Sequence, residues 1–147
     1  MDPTLEIIKA CMDEMKSDPV IIDFVGDRIY DRVPEKTNND GTVYPVVISP
    51  YISLGATSLI TEDYDCVDAV VINIQWNIWS WGGEESYSSA EVRKLAFAVR
   101  KCLHKKEINL AQNGFVDLQI SLINYNRAAD GITNQATLTF EALVDVK

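Results

Sequence analysis

DAVVINIQWNIWSW, residues 68–81, decides the fold. Val70, Ile72, Ile74, Trp76 and Ile78 occupy every second position, with Asn73, Gln75 and Asn77 between them. A period of two sends the apolar set to one face of a strand and the amides to the other. Gly82 and Gly83 end the strand, and Ser88 opens a helix that Glu91 completes as a capping box. Val92, Leu95, Ala96, Val99 and Leu103 then recur at helical spacing. A strand and an amphipathic helix joined in this way can bury their apolar faces against each other.

Working outward, Asp2-Pro3 starts an N-terminal helix, with Asp as cap and Pro in the first turn. Leu5, Ile8, Met12 and Met15 mark its apolar face, with Ile7 and Cys11 beside it. Glu6, Lys9, Asp13, Glu14 and Lys16 read as its solvated side. Asp18-Pro19 repeats the signal for a short helix over Val20–Val25 that stops at Gly26. Arg28–Val33 reads as a short strand and Glu35–Thr42 as a polar turn. Val43–Ile52 reads as an edge strand, because Pro45 and Pro50 lack the donor that a central ladder needs. Ser53–Cys66 reads as the longest loop. Phe115–Tyr125 and Gln135–Val146 are strands by alternation, joined by the polar segment Asn126–Asn134.

The element order is α-α-β-β-β-α-β-β. No strand–helix–strand unit repeats, which weighs against a doubly wound parallel sheet. The expected class is α+β: a largely antiparallel sheet of four to five strands, with the long helix on one face and two N-terminal helices. At 147 residues one domain, 1–147, is expected.

The net charge is −9, from 22 acidic and 13 basic residues, which argues against a general nucleic-acid binder. It leaves room for a protein that DNA passes through. No apolar run approaches the ~18 residues of a membrane span. Cys11, Cys66 and Cys102 form no C-x-x-C and read as free thiols in a reducing cytosol. No nucleophile, metal-ligand or phosphate-loop motif occurs. The single histidine, His104, reads as a solvated helix-end residue. No catalytic residue, cofactor or metal ligand is expected.

Three groups stand out instead. Trp79 and Trp81 fall on the polar face of the central strand, where they either pack under the N-terminal helices or anchor an interface. The long helix ends in Arg100, Lys101, His104, Lys105 and Lys106, cations that complement the helix dipole. Of these, Lys101, Lys105 and Lys106 are candidates to touch a neighbouring copy's acidic edge. The loop's second half carries Glu62, Asp63 and Asp65, an acidic patch that, in the ring of copies a family resemblance implies, is a candidate to face the lumen and repel DNA.

Five parts of the chain, in order, resemble a known family. They are MDPTLEIIKA; DPVIIDFVGDRIYDRVPE; the Tyr44–Ile48 strand; the central strand running into WSWGGEESYSSAEVRKLAFAVRKCL; and Arg127 with Asp130-Gly131 ahead of Phe140 and Ala142. Together they are similar to the tail-completion, or tail-terminator, proteins of tailed bacteriophages, prophages and gene-transfer particles. The resemblance implies an α+β fold and a ring of copies, commonly six-fold, that caps the tail tube and ends its polymerisation. It implies as partners other copies, the tube protein and a head-completion or connector protein, with DNA passing through the lumen without specific binding. It implies a virion location, assembly in the host cytoplasm, no membrane and no catalysis. A head–tail connector or other minor tail protein is the neighbouring alternative, and a small-ligand binding module the distant one.

Overall fold

The computed structural model describes residues 2–64, 67–83 and 87–146. Two helices open the chain, α1 (Pro3–Ser17) and α2 (Pro19–Val25). The Asp2 carboxylate accepts the Thr4 N–H at 2.7 Å, and the Asp18 carboxylate accepts those of Val20 and Ile21 at 2.9 and 3.1 Å. Each satisfies donors that a first helical turn leaves unpaired. Gly26, at φ 59°, ends α2 in a conformation that favours glycine.

Next come β1 (Ile29–Tyr30), β2 (Glu35–Thr37), β3 (Val43–Pro45), β4 (Tyr51–Tyr64) and β5 (Val67–Ser80). Helix α3 (Ala90–Leu103), β6 (Gly114–Arg127) and β7 (Asn134–Asp145) complete the described elements. The main sheet has the order β1-β4-β5-β7-β6, with β1 parallel to β4 and every other pair antiparallel. All three helices lie on one face.

The core is the meeting of the two periodicities. Val70, Ile72, Ile74, Trp76 and Ile78 of β5 are buried beside Ala136, Leu138, Phe140, Ala142 and Val144 of β7. Over them sit Val92, Leu95, Ala96, Val99 and Leu103 of α3, with Ile7, Cys11, Met15, Ile21 and Val25 of α1 and α2. Each fully buried aliphatic chain contributes about 1.5–3 kcal/mol. The buried Trp76 indole Nε1 finds no hydrogen-bond partner, which costs about 1–3 kcal/mol against that gain.

The fold class is as expected; several boundaries are not. Ser53–Cys66 is no loop. Through Tyr64 it is most of a 14-residue strand, β4, paired with β5 from Tyr51↔Trp79 to Tyr64↔Val67. A bulge between Leu54 and Thr57 shifts the register, so the alternation changes face midway. Gly55 is required there: a Cβ would lie 2.7 Å from Asn77 Nδ2 and 3.2 Å from the Gln75 carbonyl oxygen. The expected strands at 28–33 and 43–52 shrink to Ile29–Tyr30 and Val43–Pro45. The expected turn at 35–42 begins with β2, which pairs with β3 as an exposed two-stranded arm.

Side-chain assignments change as well. Glu6, read as solvated, is 7% exposed and accepts the backbone N–H groups of Gln112 and Asn113 at 3.1 and 3.0 Å. The buried stripe of α1 is Ile7, Cys11 and Met15, while Leu5 points to solvent. Helix α3 starts one residue later than expected, with Ser89 as cap residue, and Glu91 accepts from the Ser80 hydroxyl at 2.7 Å. A bulge between Ile120 and Leu122 turns Leu122 away from the core and leaves Ile123 against it.

Candidate assembly surfaces

The strand period places Trp79 on the sheet face opposite Ile78, away from the helices, so it does not pack beneath α1 and α2. Tyr51 stacks on Trp79 with ring centroids 6.3 Å apart and meets Trp81 edge-on at 5.9 Å. The Trp79 indole donates to Ser53 Oγ at 3.1 Å, and the Trp81 backbone N–H to Ser49 Oγ at 2.8 Å. With Pro45, Val47, Ala128, Asp130, Ile132 and Thr133 these rings line an open cleft of about 500 Å³ at one end of the sheet. Asp130 itself caps the β6–β7 turn by accepting the N–H groups of Ile132 and Thr133, which hold its carboxyl below the usual range.

At the C-terminus of α3, Lys101, Lys105 and Lys106 line a broad cleft of about 750 Å³ against Glu14 and Asp18 of the α1–α2 junction. Lys106 is paired with Glu14 at 3.5 Å within the same chain. Cys102 also lines this cleft; burial first, then Asp18 and Glu14, push its thiol up to about 12. Cys11 is likewise pushed up to about 12, chiefly by burial. Both thiols stay protonated near neutrality, which is inert chemistry.

His104 is not a free helix-end residue. Its Nδ1 accepts the Ile120 N–H at 3.0 Å, while the Lys105 N–H donates to the Leu118 carbonyl at 2.8 Å. The end of α3 thus plugs the outer edge of β6 at Leu118–Ile120. Desolvation, then the cations Arg100 and Lys105, lower the His104 pKa against the opposing pull of Asp117. Beyond the plug, Arg100 borders a depression of about 260 Å³ lined by Ile120, Ser121, Leu122 and Ile123.

Glu62 and Asp63 sit at the end of β4, opposite Ala69 and Asp68. They occupy a strand end rather than a loop, and Asp65 lies outside the described residues. No described group of His, Cys, Asp and Glu is arranged to hold a metal ion.

Two features escape a reading of separate motifs. The first is the helix-free sheet face as a whole. Ser58, Asn73, Gln75, Asn77, Thr137, Thr139 and Asn124 share it by register, with acidic Glu62, Asp117 and Glu141. Asn77 Oδ1 accepts the Thr137 hydroxyl at 2.9 Å, so part of this polar surface is internally bonded. No described strand position on this face is lysine or arginine. The amides of β5 carry the signal in the sequence, but joining them to β6 and β7 needs the pairing. The second is a pair of open edges. Among the described residues, no strand pairs with β4 beyond Ser53 or with the outer side of β6.

Among the described residues the fold is a single sheet with helices on one face and two open edges, an arrangement suited to pairing with a neighbour. The chain matches the family model of tail completion protein gp17 over residues 9–145, and it belongs to that family. Among solved structures it is similar to a chain of the virion of a native gene transfer agent particle. The TM-score is 0.82 at 19% identity, over 98% of each chain, a likeness of fold. No curated protein sequence matches it. The role is structural tail assembly in a phage-like virion, and membership of such a family weighs against an enzymatic one. No described helix is long and apolar enough to cross a membrane.

Proposed function

We propose that copies of this chain close into a ring on the head-proximal end of the tail tube, end its polymerisation and present the surface that the head joins. The observation that carries this reading is the pair of open edges on a sheet whose helices all pack on one face. Unprotected edges are hazardous in a lone domain and useful in an assembly. A contact between two different edges, repeated with one rotation, closes a ring.

In that ring the helices face outward and the helix-free face lines the lumen. Its neutral and acidic side chains repel a passing polyanion, with Glu62 toward one end of the face. Joined edge to edge, the sheets of such a ring form a closed barrel with four long strands per copy. Six copies, the number that the resemblance implies, bring about 24 strands together, whereas 16–18 already leave an aqueous channel. The partners are other copies, the tube protein and a head-completion or connector protein. The Trp79–Trp81 cleft and the Lys101–Lys106 cleft are the surfaces offered to them.

The test is reconstitution on tail tubes that lack this chain. Added protein should form a discrete ring at one end of each tube, fix tube length and permit head joining. A chain that joins heads but leaves tubes growing is a connector. One that binds neither end overturns the assignment.

A further inference from the structure

Resting on the ring reading, we infer that the distal half of β4 in one copy, Thr57–Asp63, adds as an antiparallel strand to the open edge of β6, Leu122–Arg127, in the next. Direction follows from topology. β4, β5, β7 and β6 alternate up, down, up, down across the sheet. The last strand of one copy therefore meets the first long strand of the next with the antiparallel sense preserved, and the alternation continues round the ring.

Extent follows from what already covers each edge. β1 occupies β4 only at Ile52 and Ser53. Among the described residues, His104 and Lys105 occupy β6 at Leu118–Ile120. The two remaining stretches, Thr57–Asp63 and Leu122–Arg127, differ in length by one residue. Neither carries a lysine or a proline that would blunt an edge against a partner. Leu59, Ile60 and Leu122 are 42%, 53% and 51% exposed along them, apolar surface without cover in a single copy.

Charge is compatible with the direction that topology sets. An antiparallel join places the acidic end of β4, Glu62 and Asp63, at the start of the open β6 edge. There Arg100 borders the depression at Ile120–Ile123, and Lys105 sits on the plug. The opposite end sets Thr57 toward Arg127. A parallel join would bring Glu62 and Asp63 to Arg127 and take them away from Arg100. Main-chain bonds supply the affinity of such a join, and the charge pair supplies its register.

The experiment is cysteine cross-linking in rings assembled on tail tubes. The background carries Cys66→Ser and Cys102→Ser. One chain carries Ser58→Cys or Ile60→Cys on β4, and another carries Asn124→Cys or Asn126→Cys on β6. Mild oxidation should give covalent dimers only when a β4 chain is mixed with a β6 chain. A chain carrying one of each should give a ladder ending at the closed ring. Rings that assemble and cap tubes yet yield no β4–β6 product overturn this inference and leave the ring reading standing. Absence of rings on tubes overturns the ring reading itself. As a second arm, Glu62→Lys with Asp63→Lys, or Arg100→Glu with Lys105→Glu, should each cut ring yield at least about tenfold. Combining the two reversals in one chain should restore it. Unchanged yields in chains with an unaltered circular dichroism melt overturn the assigned register.

Discussion

Glu6 keeps its carboxylate inside because two backbone donors wait for it there. Its oxygens accept the N–H groups of Gln112 and Asn113, which ties α1 to the segment leading into β6. Removing the acceptor takes this carboxylate from the buried Asn113 N–H as well as from the more exposed Gln112 N–H, a cost of about 1–3 kcal/mol. Glu6→Ala should therefore lower the thermal midpoint sharply, while Lys9→Ala, on the exposed side of the same helix, should leave it within error. The sequence showed a helix with acids and lysines on one side, and nothing local separates Glu6 from Glu14. The partners lie more than a hundred residues away, so the distinction is tertiary. His104 has the same character. Its neutral ring accepts the Ile120 N–H, and its pKa lies below the ordinary 6.5. A lowered histidine pKa means that the unfolded chain binds the proton more readily. The stabilisation is thus present above about pH 6.5 and is lost as pH falls through the folded value. The gap in urea midpoint between the parent and His104→Ala should narrow from pH 7.5 to pH 5.5.

At the scale of elements, periodicity revealed what was buried on one side and exposed on the other. β5, α3 and β7 alternate or recur cleanly because one face of each meets the core. β4 escapes the same reading because its distal half is exposed on both sides and its bulge exchanges the faces midway. Gly55 and TEDYD then look like loop chemistry. The bulge supplies its own test. At Gly55→Ala the new Cβ meets the Asn77 amide and the Gln75 carbonyl oxygen, and Asn77 is held by Thr137. The expected loss is about 1–3 kcal/mol by denaturant unfolding. In an Asn77→Ala background the nearer obstacle is gone, so the same substitution should cost less, a coupling that a double-mutant cycle reads directly. Equal costs in both backgrounds would mean that the backbone carbonyl alone sets the penalty.

For the whole molecule, the consequential fact is the division of charge between two sheet faces. Net charge alone says that a polyanion is repelled; pairing says where. The strand residues that share the helix-free face include no cation among the described positions, whereas Arg93, Arg100, Lys101 and Lys105 lie on or beside α3. If that face lines the lumen, lysines placed there should act on DNA and not on folding. Gln75 and Thr139 are paired across β5 and β7 and are only partly buried, so Gln75→Lys with Thr139→Lys should leave the melt nearly unchanged. Repeated round a ring, the pair offers the passing duplex a belt of cations. Each phosphate neutralised adds about −0.9 to the slope of log affinity against log salt. Particles carrying the double variant should assemble with tails of normal length and retain DNA at about 50 mM salt, and release should recover toward about 200 mM. The same two lysines placed at exposed positions on the helix side, as Phe97→Lys with Asn109→Lys, provide the control for charge without location. Ejection slowed equally by both variants would place the DNA path somewhere other than this face.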